Sequence, residues 1–299
     1  MSGILRKENA KLGFIGLGLM GSRFLRRLNS EGWSVRGWNR SRTSTLSLRN
    51  YGFQIDETLP SLVHDCDVLL SSLADDSAVR AIYLGEDGVF AHVQAQTVIL
   101  EMSTISLELS ALLHEEATKR GASLIDLPVS GSTPAVESGA VTLFGGGEPE
   151  TFSRCVPIFR SIAKQWYLMG PATAGIRMKL VVNLLLGINM EAIAEAVSLG
   201  EHLDLNRNIL LDVLPKTAVI APAFSGKFSK IKADDYSPQF PLHLMNKDLN
   251  LVRSAATHSG AALPAATATI HTFGKAVGER GELDISAITS YVHALSTQP

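Results

Sequence analysis

The chain has 299 residues, 45% of them hydrophobic, and a formal net charge of -2. Its 27 Lys and Arg residues are scattered, so the sequence has no basic face of the kind that binds nucleic acid or an anionic membrane. Cys66 and Cys155 lack CxxC or Cys/His spacing, which favours buried thiols over a disulfide framework or a zinc site. Composition and length therefore indicate a soluble globular protein, with two domains slightly favoured over one.

The N-terminus and the longest apolar run lack the patterns of export and membrane insertion. The first ten residues, MSGILRKENA, are charged and polar where a signal peptide is apolar. We therefore expect a cytoplasmic protein with a flexible arm over residues 1–10. The apolar run at 180–190 contains two asparagines and is shorter than the ~20 residues of a membrane span, which favours a buried helix.

Short β-type runs alternate with helical stretches from Lys11 to about Met169, which predicts a mostly parallel sheet covered by helices. The predicted strands are KLGFIG, SVRGWN, DVLLSSL, TVILEMS, SLIDLPV, VTLFGG and QWYLM. After Pro171 the sequence has no convincing strand, and Gly, Pro and Ala cluster at 170–175. Helical periodicity runs through four stretches, AGIRMKLVVNLLLGINMEAIAEAVSLGEHL, NRNILLDVL, LHLMNKDLNLVRSAATHSG and AATATIHTFGKAVGER. We therefore predict an α/β domain over residues 1–173 and an all-α domain over residues 174–299.

The hexapeptide GLGLMG connects the first predicted strand with a helix that starts near Ser22. Gly16 permits a tight turn, Gly18 lets the backbone approach a pyrophosphate, and Gly21 allows close helix packing, while the helix N-terminus supplies N–H groups. This context predicts dinucleotide binding; a glycine-rich turn without a ligand is the alternative. The predicted cofactor contacts here are Gly16, Leu17, Gly18, Leu19, Met20 and Gly21.

The residues after the second predicted strand indicate which dinucleotide is bound. A fold that prefers NAD has Asp or Glu here for the ribose 2′-hydroxyl, whereas in this chain Asn39, Arg40, Ser41 and Arg42 follow Trp38. Guanidinium groups suit a 2′-phosphate, and the Asn39 amide and Ser41 hydroxyl can add hydrogen bonds. The sequence therefore favours NADPH, unless these arginines are ordinary solvated loop charges.

Another polar segment, EMSTIS, lies at the end of a predicted strand, where ligands bind in open α/β sheets. Ser103 and Thr104 can donate hydrogen bonds to the nicotinamide ribose or the substrate. Alternatively they cap the helix beginning near Leu107, a role that Ser106 could also fill.

The segment PVSGS also follows a predicted strand. Its backbone N–H groups at Gly131 and the hydroxyls of Ser130 and Ser132 can hold a carboxylate, as in sites for small anionic acids. A turn with Pro and Gly but no ligand would have a similar sequence.

Lys179 and Asn183 stand one helical turn apart on an otherwise apolar helix. Burial of a lysine is unfavourable, so the side chain could reach to the surface. Because the helix directly follows the predicted boundary, we expect it to line the interdomain cleft, where a desolvated lysine can donate a proton. Asn183 would hold the same substrate oxygen or orient the ammonium.

A final polar group lies in the segment from Phe240 to Asp248. Lys247 could reach the cofactor. Asp248 could orient Lys179 or form an ordinary surface ion pair, and the spacing does not choose between these roles.

Together these motifs resemble the β-hydroxyacid dehydrogenase family from about Lys11 to the end of the chain. The resemblance rests on GLGLMG, WNRS, EMSTIS, PVSGS, GIRMKLVVN and KDLNL. Ser132, which stands where several members have glycine, together with APAFSGK and YSPQFPL, is most similar to the glyoxylate/succinic semialdehyde reductase branch.

The resemblance implies a Rossmann N-terminal domain, a helical C-terminal domain, a long interdomain helix, and a homodimer or homotetramer. It implies that Lys179 is the proton donor, that Ser130 and Asn183 hold the substrate, and that Thr104 lies beside both nicotinamide and substrate. It places Lys247 at the cofactor. Phe240 and Asp248 match positions that shape or support the site; Leu73, which ends DVLLSSL, is also predicted to contact the cofactor.

One segment departs from the family pattern. Relatives often have a Gly-Asn-Gly or Gly-Ala-Gly run before the catalytic helix, whereas this chain has ATAG at residues 172–175. The geometry of this connection is therefore open.

The expected reaction is reduction of a small aldehyde or keto acid, such as glyoxylate or succinic semialdehyde, by hydride from NADPH with Lys179 as proton donor. Two alternatives remain. Imine reductases use the same scaffold but usually lack the lysine, and some relatives bind NADPH without catalysis as interaction modules.

Overall fold

The structure, a computed structural model, describes residues 3–41 and 45–296. Packing divides the chain after Lys179 into two compact units, called unit 1 and unit 2 below. The boundary that we predict, between residues 173 and 174, coincides with the start of helix α10 (Ala174–His202), and the division by packing falls inside this helix.

Unit 1 is built on a sheet whose strands follow the predicted apolar runs. Within the described residues they are β1 Lys11–Ile15, β2 Ser34–Trp38, β3 Val68–Ser71, β4 Val98–Glu101, β5 Ser123–Asp126, β6 Val129–Ser130, β7 Val141–Gly146 and β8 Ala163–Gly170. Their order is β2-β1-β3-β4-β5-β7-β6, with β8 paired to β7. The first five strands are parallel. Every residue of β3 and β4 is buried, as expected for strands covered on both faces. The predicted α/β fold with a mostly parallel sheet is confirmed.

The predicted strand SLIDLPV divides into β5 and β6. Pro128 lies between them and lacks the N–H that a continuing ladder needs. β6 then pairs antiparallel with β7, with Ser130 opposite Thr142. The division ends strand β5 at Asp126 and starts a separate segment towards Ser130.

Helices cover this sheet and complete its apolar core. They are α1 Gly21–Ser30, α2 Leu46–Asn50, α3 Leu59–Asp65, α4 Asp76–Leu84, α5 Val89–His92, α6 Leu107–Lys119, α7 Thr133–Glu137, α8 Pro149–Arg154 and α9 Val156–Ile162. Phe14 of β1 stacks on Phe24 of α1 with 6.1 Å between ring centroids. Cys66 and Cys155 are buried thiols, as predicted, and burial raises the pKa of each to about 12.

The expected flexible arm has attachments to unit 1 from Gly3 onward. The N–H of Leu5 donates to the carbonyl of Arg154 at 3.3 Å, and the Arg154 guanidinium donates to the carbonyl of Gly3 at 3.3 Å. Ala10 is buried in the core at the start of β1. Residues 1 and 2 lie outside the described part of the chain.

Unit 2 is helical, as predicted: its described residues form no strand, and only an isolated bridge joins Pro241 and Asp284. Its helices after α10 are α11 Arg207–Val213, α12 Ser225–Lys232, α13 Leu242–Ser259, α14 Pro264–Arg280 and α15 Ile288–Ser296. The core contains Met190 of α10, Phe228 of α12, Leu249 of α13 and Phe273 of α14, all at most 2% exposed. The sequence pattern did not predict α12 and α15.

The prediction that the run at 180–190 is a buried helix holds for only one of its faces. Leu180, Asn183 and Met190 are buried, whereas Val181 and Leu185 are 53% and 57% exposed. An 18-residue window of α10 reaches a mean hydropathy of 1.6, with 44% of it buried. By length and composition alone α10 could cross a membrane, but the core helix of a soluble protein meets the same criterion, so this is weak evidence for a span.

Candidate active site

The glycine loop lies between β1 and α1, and its first and last glycines have no room for a side chain. Gly16 has a φ of +88°. A Cβ there would lie 2.4 Å from the carbonyl oxygen of Ser72, and one at Gly21 would lie 1.9 Å from the carbonyl oxygen of Gly16. Because backbone oxygens cannot move aside as a flexible side chain can, these two positions fix how the strand, the loop and the helix pack.

Gly18 differs from its two neighbours. No described atom lies within 4 Å of the position that its Cβ would take, so this part of the loop faces open space beside the first turn of α1. The loop is held by the residue that follows β2, because Asn39 Oδ1 accepts a hydrogen bond from the N–H of Leu17 at 2.9 Å. Free N–H groups at a helix start suit an anion, and the open space at Gly18 fits the approach of a dinucleotide pyrophosphate.

The loop after β2 carries no carboxylate at the position that binds a ribose 2′-hydroxyl in NAD-preferring folds. Arg40 is exposed. Asn39 orders the loop itself, because its amide nitrogen donates to the carbonyl of Ser41 at 3.1 Å while its oxygen holds Leu17. Arg42 lies outside the described residues.

The ends of four parallel strands form one row across the sheet. Ile15 pairs in register with Ser71, Ser71 with Glu101, and Glu101 with Asp126. The row therefore brings two fully buried carboxyl groups to the edge at which open α/β sheets bind their ligands. Neither acid is among the site residues predicted from the sequence. The signal that could have shown them is an acidic residue at the end of each apolar run, VILE and SLID.

Both carboxyl oxygens of Glu101 accept hydrogen bonds. Its Oε1 accepts the N–H of Ser103 at 2.7 Å, and its Oε2 accepts the hydroxyl of Ser71, which also bonds the Tyr83 hydroxyl at 2.6 Å. Burial raises the pKa of Glu101, and the hydrogen bonds from Ser103 and Ser71 only partly oppose it. Burial, with the charge of Glu101 second, raises the pKa of Tyr83. The cluster places this carboxyl, with its raised pKa, under the loops that follow β3 and β4.

Those two loops are joined directly. Ser103 Oγ accepts the N–H of Leu73 at 2.8 Å, and the Leu73 side chain lies beside Gly16. Ser103 is only 3% exposed, so its hydroxyl organises the loops inside unit 1 rather than pointing to solvent. Ser106 caps α6 by accepting the N–H of Leu109 at 3.2 Å, the role that the sequence left open for it. Thr104 follows Ser103 and is partly buried.

The loop carrying Ser130, Gly131 and Ser132 is a tight connection between β6 and α7. Gly131 has a φ of +145°, and a Cβ there would lie 2.9 Å from the side chain of Val141. Ser132 stands at the N-cap of α7 without a side-chain capping bond. Both serines are partly buried, and Gly131 is exposed. The predicted carboxylate-binding groups therefore lie together in one loop.

The start of α10 is held by Asp126. The N–H groups of Thr173 and Ile176 donate to its two carboxylate oxygens, each at 2.9 Å, and His114 Nε2 donates at 2.8 Å. Thr173 has a φ of +72°, and its buried Oγ1 has no described partner. Gly175, the one glycine of the segment at 172–175, is the position where a Cβ would lie 2.3 Å from the carbonyl oxygen of Phe144.

Lys179 and Asn183 project from α10 one turn apart, as predicted. Lys179 is partly buried and Asn183 is fully buried. Asn183 is fixed by α13, because its amide nitrogen donates to Asp248 Oδ2 at 2.6 Å. Its Oδ1 is buried and has no described partner, so it can still accept a hydrogen bond.

Asp248, the partner of Asn183, is also buried. It is 2% exposed, and Lys247 Nζ lies 2.8 Å from its Oδ1. Asp248 thus forms an ion pair, but its carboxylate lies inside unit 2 rather than at the surface and also binds Asn183. Its role in orienting Lys179 stays a prediction.

Phe240 is held by another carboxylate, Asp284, which accepts its N–H at 3.1 Å. Asp284 also binds Lys227 Nζ at 2.7 Å. Burial disfavours the ionised carboxylate, but Lys227 and the hydrogen-bond donors outweigh it and lower the pKa of Asp284. This pair fixes the loop before α13, and the sequence pattern did not predict it.

The predicted site residues thus fall into two groups. In unit 1 the glycine loop contacts Leu73, Leu73 contacts Ser103, and Asn39 orders the loop. In unit 2 Asn183, Lys247 and Asp248 form one cluster. Lys179 shares α10 with Asn183, and the role of each predicted site residue in binding or catalysis stays a prediction.

Two family models match the chain. Residues 11–170 match the NAD binding domain of 6-phosphogluconate dehydrogenase. Residues 173–292 match the NAD-binding domain of NADP-dependent 3-hydroxyisobutyrate dehydrogenase. Together the matches cover both units apart from the termini.

Curated relatives match along nearly the whole length. Glyoxylate/succinic semialdehyde reductase 1 of Arabidopsis thaliana is 30% identical, over 94% of this chain and 98% of that protein. The 2-(hydroxymethyl)glutarate dehydrogenase of Eubacterium barkeri is 31% identical, over 94% of each. Psf3, solved in complex with NADP+ and 2-OPP, is 26% identical with a TM-score of 0.87, over 93% of this chain and 99% of that one. With its glycine loop, its strand-end row and these matches, the chain belongs to the β-hydroxyacid dehydrogenase family of nicotinamide-dependent oxidoreductases.

Proposed function

We propose that this protein is an NADPH-dependent reductase of small aldehydes or keto acids, with glyoxylate and succinic semialdehyde as the first candidates. The observation that carries the proposal is the pair on α10. Lys179 stands one turn before Asn183, whose amide is fixed by buried Asp248 and whose oxygen can still accept a hydrogen bond. An ammonium donor beside a fixed amide suits a carbonyl that must gain a proton.

When bound, the nicotinamide supplies the hydride to the carbonyl carbon. Lys179 donates its proton to the carbonyl oxygen as negative charge develops there, which is general acid catalysis. The Asn183 Oδ1 can accept a hydrogen bond from the ammonium, or the second amide N–H can donate to the substrate oxygen. Asp248 prevents the Asn183 amide from rotating. Fixed donors of this kind need no reorganisation during the reaction.

The choice of NADPH is supported by the loop after β2. It has no carboxylate that would repel a 2′-phosphate, and Arg40 is exposed with its guanidinium available to solvent. One of the matching family models describes an NADP-dependent enzyme, and Psf3 was solved with NADP+.

The substrate class is supported by the loop at Ser130. Two hydroxyls and the backbone around Gly131 offer several hydrogen-bond donors within three consecutive residues, which suits a carboxylate. The names of the Arabidopsis and Eubacterium relatives refer to glyoxylate, succinic semialdehyde and 2-(hydroxymethyl)glutarate, all small carboxylic acids. The family resemblance also supports a homodimer or homotetramer, which light scattering after size-exclusion chromatography would test.

The deciding experiment follows NADPH oxidation with a panel of glyoxylate, succinic semialdehyde, tartronate semialdehyde and cyclic imines. We expect turnover of at least one aldehyde acid and slower oxidation of NADH. Turnover of the imines alone would replace the proposal with imine reduction. Tight NADPH binding without turnover of any compound would favour a non-catalytic binding module.

A further inference from the structure

Asp126 connects the end of strand β5 with the beginning of α10. Its carboxylate is fully buried and accepts hydrogen bonds from the N–H groups of Thr173 and Ile176 and from His114. The first two donors belong to the connection into α10 and its first turn. A single side chain, distant in sequence, therefore fixes where the helix begins.

The backbone around this carboxylate has no space for further side chains. A Cβ at Gly146 would lie 2.5 Å from Asp126 Oδ1, and a Cβ at Gly175 would lie 2.8 Å from Oδ2. The end of β7 and the first turn of α10 thus approach the carboxylate from different sides. Movement of the carboxylate would break its hydrogen bonds to the N–H groups of Thr173 and Ile176.

The hydrogen bonds of Asp126 set the orientation of the first turn of α10 as well as its position. A carboxylate at a helix N-terminus is stabilised by the N–H groups and partial positive charge there. Ile176, whose N–H is bound, stands three residues before Lys179, and residues three apart are neighbours on a helix surface. Rotation or fraying of this turn would therefore displace Lys179.

The same residue also precedes the loop proposed to hold the substrate. Asp126 ends β5, Pro128 follows, and Ser130 ends β6. The chain segment that carries the carboxylate-binding serine and the helix that carries the lysine are therefore anchored at one point of unit 1.

We propose that Asp126 is a positioning residue for the reduction, acting through the first turn of α10 on Lys179, with His114 holding its carboxylate. This inference rests on the proposed function of Lys179. Asp126 itself neither donates the proton nor touches the cofactor loop.

The test compares Asp126→Asn with Asn206→Ala. The asparagine keeps the size of Asp126 but replaces one acceptor oxygen by an amide NH2 group, which faces a hydrogen-bond donor instead of accepting from it. Asn206 caps α11 through two backbone N–H groups, so its removal is a matched loss of a helix cap away from Lys179. We expect Asp126→Asn to lower kcat about 10- to 100-fold with NADPH affinity within about twofold, because small misplacements of a catalytic group have effects of this size.

Two further measurements separate positioning from stability. A displaced Lys179 makes proton transfer slower, so the solvent deuterium isotope effect on kcat should increase in Asp126→Asn and not in Asn206→Ala. Amide hydrogen exchange in the free protein should become faster over residues 173–179 only in Asp126→Asn. If Asp126→Asn does not fold, His114→Leu should lower kcat and His114→Gln, which keeps an N–H donor, should restore it.

The inference is overturned if Asp126→Asn keeps kcat within about twofold of the parent protein, or if Asn206→Ala loses as much activity at equal stability. Unchanged exchange over residues 173–179 would overturn it even for a protein inactive on the whole panel. If the parent protein is active and Lys179→Ala is not, an unaffected Asp126→Asn removes this inference and leaves the proposed function intact.

Discussion

The glycine loop, proposed to bind the cofactor, and the first turns of α10, proposed to supply the proton, are built in opposite ways. The loop depends on side chains that are absent: Gly16 and Gly21 contact backbone oxygens, and Gly18 leaves open space. The α10 residues depend on side chains that are present, because Asp126 and Asp248 hold the helix start and Asn183. A backbone-defined region can be recognised from a short motif, whereas a side-chain-defined region needs partners from elsewhere in the chain.

The largest effect is expected at Lys179. Lys179→Ala should lower kcat about 10²-fold or more, because a general acid contributes about 10²–10⁴-fold, and should leave NADPH affinity within about twofold. Steady-state kinetics and fluorescence titration with NADPH measure the two quantities, and exposed Lys164→Ala is the control. Parallel loss of NADPH binding would show that the two regions do not act separately.

Gly18 tests the other side of the comparison. Gly18→Ala meets no protein atom, so its melting temperature should match that of the parent protein. Its methyl group would occupy the space proposed for the pyrophosphate. Overpacking of about 1–3 kcal/mol corresponds to a roughly 5- to 150-fold higher Kd for NADPH.

Gly278→Ala is the matched control, because it also has no described atom within 4 Å and lies on α14. Equal NADPH affinity of Gly18→Ala and the parent protein would contradict the proposed pyrophosphate position.

Replacement of Arg40 should change the preference for NADPH over NADH, with a smaller effect on Kd than replacement of Gly18. Removal of a charge-assisted hydrogen bond at an exposed, salt-screened site should raise the Kd for NADPH about tenfold and leave NADH unchanged. Titrations of Arg40→Ala with both cofactors measure this, with exposed Arg160→Ala as control. Equal weakening for the two cofactors would mean that Arg40 does not recognise the 2′-phosphate.

The smallest effect concerns the stability of unit 2. Burial raises the pKa of Glu191 on α10 to about 7, although a hydrogen bond from Thr272 opposes the shift. Burial favours the protonated form of Glu191. Its contribution to the free energy of unfolding is therefore present in full at low pH and is lost as pH rises from about 4.5 through about 7.

Glu191→Gln should remove this dependence and unfold a few degrees above the parent protein at pH ~8. The control Glu195→Gln, at an exposed position on the same helix, should keep the pH dependence and the melting temperature of the parent protein. Thermal melts across pH measure the difference, and identical curves for Glu191→Gln and the parent protein would contradict the assignment.

The sequence predicted the features that depend on local pattern. The strand runs, α10 and the glycine loop follow from hydrophobic periodicity and glycine spacing. It did not predict the contact of Asp126 with Thr173, 47 residues away, or of Asp248 with Asn183, 65 residues away. Such pairs form only when the chain has folded, and no local pattern encodes them. The division of SLIDLPV and the short helix α12 were missed because neither has a strong period of its own.

The φ of +72° at Thr173 has a consequence for protein engineering. A β-branched residue is disfavoured in the left-handed region, and this one also buries a hydroxyl that has no described partner. Glycine adopts the same backbone without that penalty. Position 173 is therefore a point at which thermal tolerance can be raised beside α10 without replacing any proposed site residue.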